Sequence, residues 1–216
     1  MDQMIRVLAR GGDCLADIAL LRARPERFSP VAPDPTVSRL IARLAADAAR
    51  ALKAIRAARA SARARAWTLA DHNAPGANGE LIPLDLDATI VVVAHSDKDQ
   101  ATPTWKKTFG FHPMTVFAHH EAAGSGESLA ITLRPGDAGS NTAADHIDTT
   151  RLALAQLPKQ RRCQVLIRTD SGGDTHDFLS WLTWPGRWLN YSIEFTLTDD
   201  IQTAILRLPK TAAPAR

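Results

Sequence analysis

Cysteine is nearly absent from this chain: Cys14 and Cys163 are the two in 216 residues. Two thiols cannot build a disulfide framework or a cysteine-based zinc site, and the usage suits a reducing compartment. Long apolar runs are missing as well. The opening MDQMIRVLARGGDCLADIALLRARP breaks each hydrophobic run with charge, so neither a signal peptide nor a spanning helix is expected. No internal repeat occurs, which removes solenoids and other arrays. Ser171 in TDSGGD lacks the G-x-S-x-G setting of a nucleophile elbow, and a serine hydrolase is rejected. The seven histidines, among them His95, His112, His119, His120 and His176, match no zinc-ligand spacing. The expectation is a soluble cytoplasmic protein with no membrane partner.

What is present reads as globular: 45% hydrophobic, 23% charged, with a formal net charge of +3. Such a length buries a proper core, and so mild a positive charge permits nucleic-acid binding without demanding it. Charge distribution says more. After a short helix around DCLADIALLRAR, the stretch DPTVSRLIARLAADAARALKAIRAARASARARAW reads as one long helix, capped by Asp34 or Thr36. Val37, Leu40, Ile41, Leu44, Ala48, Leu52 and Ile55 recur at helical spacing. Arg56, Arg59, Arg63 and their basic neighbours meet almost no acid beyond Asp47. They form either a solvated outer face or a helix that tracks phosphates.

DHNAPGANGE is a polar break, and the domain boundary is expected there: a helical, basic segment over 1–72, a core over 80–208, a tail over 209–216. Strands are predicted near 81–95, 111–120 and 128–134, then a helix starting at Ser140, Asn141 or Thr142 and ending at Pro158. A fourth strand (RCQVLIRTD), a helix (DTHDFLSWLTW), a fifth strand (LNYSIEFTL) and a closing helix (TDDIQTAILRLP) follow. Three sequential strands form a meander, and the helix after them carries the chain to a parallel fourth strand. This order resembles a ribonuclease-H-like core: an α/β fold with a mixed sheet of about five strands flanked by helices.

The first strand, in LIPLDLDATIVVVAHSD, looks buried on both faces through Val91–Val93, yet it carries Asp85 and Asp87 on one side. A buried charge is costly without a partner. In the expected topology Asp87 approaches Asp170 at the end of strand four. Two close, partly desolvated carboxylates repel unless a divalent cation joins them. Two such ions roughly 3.5–4 Å apart activate one oxygen and stabilise another at phosphorus. Asp85 is an alternative first ligand, or a residue that supports it. Ordinary roles compete: TDSGG is good turn chemistry for Asp170.

LDLDATIVVVAHSDKDQATPTWKKTFGFHPMTVFA, LRPGDAGSNTAADH and VLIRTDSGG resemble the catalytic core of bacterial insertion-sequence transposases, DDE enzymes of the cut-and-paste kind. The resemblance implies a triad binding two magnesium (or manganese) ions. It also implies DNA partners, both transposon ends and target, with water cleaving the end and the freed 3′ hydroxyl attacking target DNA. Asp87-Ala88-Thr89 matches the first family aspartate and Asp170-Ser171-Gly172 the second. The third, a glutamate in a helix beyond an inserted subdomain, has no match; Glu194, Asp199 and Asp200 lie outside its motif. The expectation is therefore a truncated fragment with little strand-transfer activity. The alternatives are a relic that binds DNA or associates with intact transposase or itself, and another ribonuclease-H-like nuclease completed by Glu194 or Asp200.

TPTWKKTFGFHP groups Trp105, Lys106, Lys107, Phe109 and Phe111 in one loop, where basic and aromatic residues either grip DNA or anchor the loop. RPGDAGSN offers turn amides that bind phosphate or simply cap the next helix. Trp181, Trp184 and Trp188 are expected in the core.

Overall fold

A computed structural model describes residues 15–93, 98–120, 125–186 and 189–208; His95 and Trp188 lie outside them. The chain divides into two compact units, residues 1–58 and 59–216. None of the described helices is long and apolar enough to cross a membrane.

The first unit contains α1 (Ile18–Arg22), α2 (Pro25–Phe28), α3 (Asp34–Ala45) and the start of α4 (Ala48–Ala70). Ile18, Leu21 and Val37 form its small core, with Phe28, Val31 and Ala32 packed against them. The expected single long helix is in fact two. Asp47 accepts a hydrogen bond from the Arg50 amide through Oδ1, the local bond by which an aspartate starts a new helix. Of the predicted apolar stripe Val37 is buried, whereas Leu40, Ile41 and Leu52 are exposed.

The second unit is a mixed sheet in the order β6-β5-β1-β7-β8. Its strands are β1 (Ile82–Ala88), β5 (Met114–His120), β6 (Ser125–Thr132), β7 (Val165–Thr169) and β8 (Asn190–Ile193). β1 pairs antiparallel with β5 and parallel with β7, and β7 pairs parallel with β8. The meander and the helical crossover thus form as the sequence order implies, with α5 (Ala143–Gln156), α6 (His176–Leu182) and α7 (Asp199–Leu206) between and after the strands. This is the ribonuclease-H-like arrangement. Between β1 and β5 the chain builds a separate small sheet of β2 (Val91–Val92), β4 (Phe109–Phe111) and β3 (Thr102–Pro103), in that order.

The predicted first strand, 81–95, is therefore corrected. β1 stops at Ala88, and Val91 and Val92 belong to the small sheet, where they are exposed. Along β1, Ile82, Leu84 and Leu86 are buried, while Pro83, Asp85 and Asp87 alternate with them on a more open face. Period-two alternation of this kind marks a strand covered on one face. The two aspartates of β1 never enter the core.

That core joins Ile82, Leu84 and Leu86 to Met114, Val116 and Ala118 of β5 and Val165 and Ile167 of β7. Ala153 and Leu157, Phe178 and Leu182, and Trp67 near the end of α4 cover them. Trp181 stacks on Phe178 at 6.0 Å between ring centroids, as a core tryptophan should. Trp184 departs from the expectation: it is 65% exposed.

Candidate active site

β1 and β7 lie side by side with Leu86 opposite Thr169. Asp87 and Asp170 follow them in the chain, Asp87 within β1 and Asp170 just past β7, so both lie at the same end of neighbouring strands. They line one cavity of about 320 Å³, together with Trp105, His112, Ser140 and His146. Both aspartates are exposed rather than desolvated as the sequence suggested. Water around both carboxylates screens their mutual repulsion.

Asp170 also does the turn work anticipated for it. Its Oδ1 accepts from the Gly172 amide at 2.9 Å and caps the turn Ser171–Gly173. The turn folds back tightly: a Cβ on Gly173 would lie 2.3 Å from Thr169 Cγ2. Capping engages one carboxylate oxygen and aims the group at the strand end, which is compatible with a second role for the other oxygen.

Asp85 is otherwise committed. Arg168, its register partner on β7, donates to both of its oxygens. Both its oxygens are thus engaged by one guanidinium, and Asp87 is the carboxylate of β1 that lines the cavity.

His146 and His112 were not read as site residues in the sequence. His146 is 3% exposed and its ring lies 5.3 Å from that of Phe178. Its Nδ1 donates to the Thr142 carbonyl at 3.0 Å, since a carbonyl only accepts. Burial holds its pKa below the usual 6.5 and the Arg134 charge adds to this; the Thr142 bond and the charges of Asp170 and Asp145 oppose it. His146 lies in the first turn of α5, four residues after Thr142, at the site end of the helix. His112 is 4% exposed and donates through Nδ1 to the Ala138 carbonyl at 2.9 Å. Buried Arg134 then ties the wall together, donating to the carbonyls of His112 and Gly139 and to Asp145 Oδ2.

Of the cations expected to meet DNA, Lys106 and Lys107 are exposed in the loop beside the cavity. Arg56 is half-buried, and Arg59 is exposed with a guanidinium that donates to the Ser128 carbonyl at 2.6 Å. Arg63 is corrected. It is 5% exposed, pairs with Glu127 Oε1 at 2.6 Å and donates to the carbonyl and side chain of Gln156. This arginine fastens α4 to β6 and α5.

Glu194 donates its amide to the Thr169 carbonyl, which extends the β7–β8 pairing by one step, but its side chain is not part of the cavity lining. Asp199 and Asp200 sit in the first turn of α7, where they suit the positive helix end. Among the described residues no three His, Cys, Asp or Glu side chains gather as a ligand set.

The strand order defines a ribonuclease-H-like domain, with Asp87 and Asp170 at one end of its sheet. The whole chain, residues 1–216, matches the family described as transposase DDE domain group 1, and it belongs to that family. No curated protein matches the chain. Membership ties the chain to DNA transposition, makes DNA its partner, and places it in a family that generally uses divalent metal ions. The donors suit such an ion in kind, because carboxylate oxygens are the hard ligands magnesium prefers and two of them often suffice beside phosphate and water.

Proposed function

We propose that Asp87 and Asp170 hold a divalent cation, magnesium or manganese, for phosphoryl transfer on DNA in a cut-and-paste transposition reaction of the bacterial insertion-sequence type. The observation that carries this reading is their shared place at one end of adjacent parallel strands, lining one cavity. When bound, the cation supplies charge neutralisation at phosphorus and a template for the attacking and leaving oxygens. The chain supplies the rest. Asp87 and Asp170 provide oxygen donors, the Gly172 amide fixes the orientation of Asp170, and Lys106, Lys107, Arg56 and Arg59 offer cations for the backbone of transposon ends and target DNA. His146 presents a neutral imidazole to the cavity, with Nδ1 already committed to Thr142.

A two-ion centre needs more donors than this pair. No third acid joins Asp87 and Asp170 in a ligand set among the described residues, which favours a second reading for the chain by itself: it binds DNA without transferring strands, alone or together with an intact transposase. A nicking assay with manganese, on DNA carrying terminal inverted repeats, separates the two. Cleavage abolished in both Asp87→Ala and Asp170→Ala supports the enzyme. Salt-sensitive DNA retention without any cleavage supports the non-catalytic form.

A further inference from the structure

Trp105 stands out against the rest of the apolar inventory. Its indole is 70% exposed, with Lys106 Nζ 4.9 Å from the ring centroid. It borders two recesses at once: the cavity of Asp87 and Asp170, and a neighbouring one of about 400 Å³ walled by Gly136, Asp137, Ala138, Gly139 and Ser140. An exposed aromatic on a mobile loop would mean little, but this one sits on a fixed turn. Thr104 and Thr108 are joined through their hydroxyls at 2.6 Å and through Thr104 N to Thr108 O at 2.8 Å, closing the segment that carries Trp105. The opposite wall is locked to the same small sheet. Thr102 Oγ1 donates to Asp137 Oδ1 at 2.9 Å and accepts from the Asp137 amide at 3.0 Å. Gly136 packs so closely that a Cβ there would lie 2.3 Å from the Thr102 carbonyl. The indole and the 136–140 backbone are thus two sides of a cleft that exists before any ligand arrives.

We propose that Trp105 is the stacking platform for one unpaired nucleotide of the DNA strand bound at the Asp87–Asp170 cavity. The proposal rests on the DNA reading above and deepens it by naming the state of the substrate. A base inside a duplex has both faces covered by its neighbours, so an indole gains little from it. A base at a frayed or single-stranded end offers a free π-face, and stacking on it is tolerant of sequence. Lys106 supplies the charge for that nucleotide's phosphate, beside the ring rather than away from it. The facing wall is Gly136, Asp137, Ala138, Gly139 and Ser140, with the Asp137 and Ser140 side chains already bonded to Thr102 and Asn141.

The test compares two short DNAs of arbitrary sequence, a blunt duplex and the same duplex with a single-stranded extension. Binding to the full chain is followed by anisotropy in calcium, an oxygen-loving cation like magnesium. The wild type is expected to prefer the extended DNA by about 5- to 150-fold, the range of one base–aromatic stack. Trp105→Ala should bring the ratio of the two affinities to about one with an unchanged circular dichroism spectrum; Trp105→Phe should keep part of the preference. A preference that survives Trp105→Ala, a wild type without preference, or a variant that loses both DNAs equally overturns the stacking role while the DNA reading stands. Failure of the wild type to bind either DNA overturns both.

Discussion

Asp85 and Arg168 face each other across two parallel strands and share two hydrogen bonds, Nε to Oδ1 at 2.6 Å and Nη2 to Oδ2 at 2.8 Å. The bond to Asp85 raises the pKa of Arg168, so the guanidinium stays charged and the carboxylate stays matched. Fork-to-fork geometry of this sort cancels one negative charge two residues before Asp87. Asp85→Asn should cost about 1 kcal/mol or less in urea titrations, because both side chains are partly solvated. Manganese affinity measured by calorimetry should be unchanged. A large fall in that affinity would return Asp85 to the ligand set.

Asp170 has two roles that substitution separates. Asn retains a carbonyl oxygen for the Gly172 amide, whereas Ala does not. Asp170→Ala should lose about 1 kcal/mol of stability as a missing cap does, and Asp170→Asn much less. Both should weaken manganese binding, by at least the roughly 10–100-fold seen when a supporting partner of a metal site is removed. Equal stability losses in the two variants would contradict the capping account.

Arg63→Ala should destabilise the second unit strongly. Removing one member of a buried pair costs about 3–5 kcal/mol, and here Glu127 is a third exposed, so about 2–3 kcal/mol is expected. Lys106→Ala and Lys107→Ala should leave the thermal midpoint nearly unchanged but weaken DNA binding and flatten its salt dependence. The opposite pattern would restore Arg63 to the DNA surface.

His146 gives stability a pH dependence of definite sign. Its pKa is lowered on folding, so below about 6.5 the unfolded chain takes up a proton that the folded chain resists. Its contribution is fully present above pH 6.5 and is lost as pH falls toward the lowered folded value. Unfolding free energies of the wild type and His146→Gln, compared across that window, should fall more steeply with acid in the wild type. Parallel curves would show that the burial of this imidazole carries no linkage.

Strand order and helix order were legible because alternation and cap chemistry are local. Leu84-Asp85-Leu86-Asp87 alternates as a strand with one buried face does, although it was read as covered on both, and α5 starts just after Thr142, one of its three expected starts. The breaks were harder to read. Val91 and Val92 look like core but lie on a small sheet that needs Gly110 and Phe111 from far downstream. Arg63 looks like surface by charge alone; its burial depends on Glu127 and Gln156, partners supplied by two distant elements. The aspartate pair was visible in the sequence because the strand order sets β1 beside β7, although Asp87 was read as mid-strand and in fact lies one residue from the end of β1. His146 was overlooked because one histidine in a helix carries no periodic mark.

The parallel pairing of β1 with β7 also sets a schedule for the newborn polypeptide. The β1–β5–β6 meander closes from nearby segments, but Asp170 reaches Asp87 only after α5 has crossed over and β7 has docked beside β1. Long-separation contacts of this type form late. The meeting of the two carboxylates is therefore acquired only once β7 is in place, and a nascent chain interrupted before β7 presents Asp87 alone.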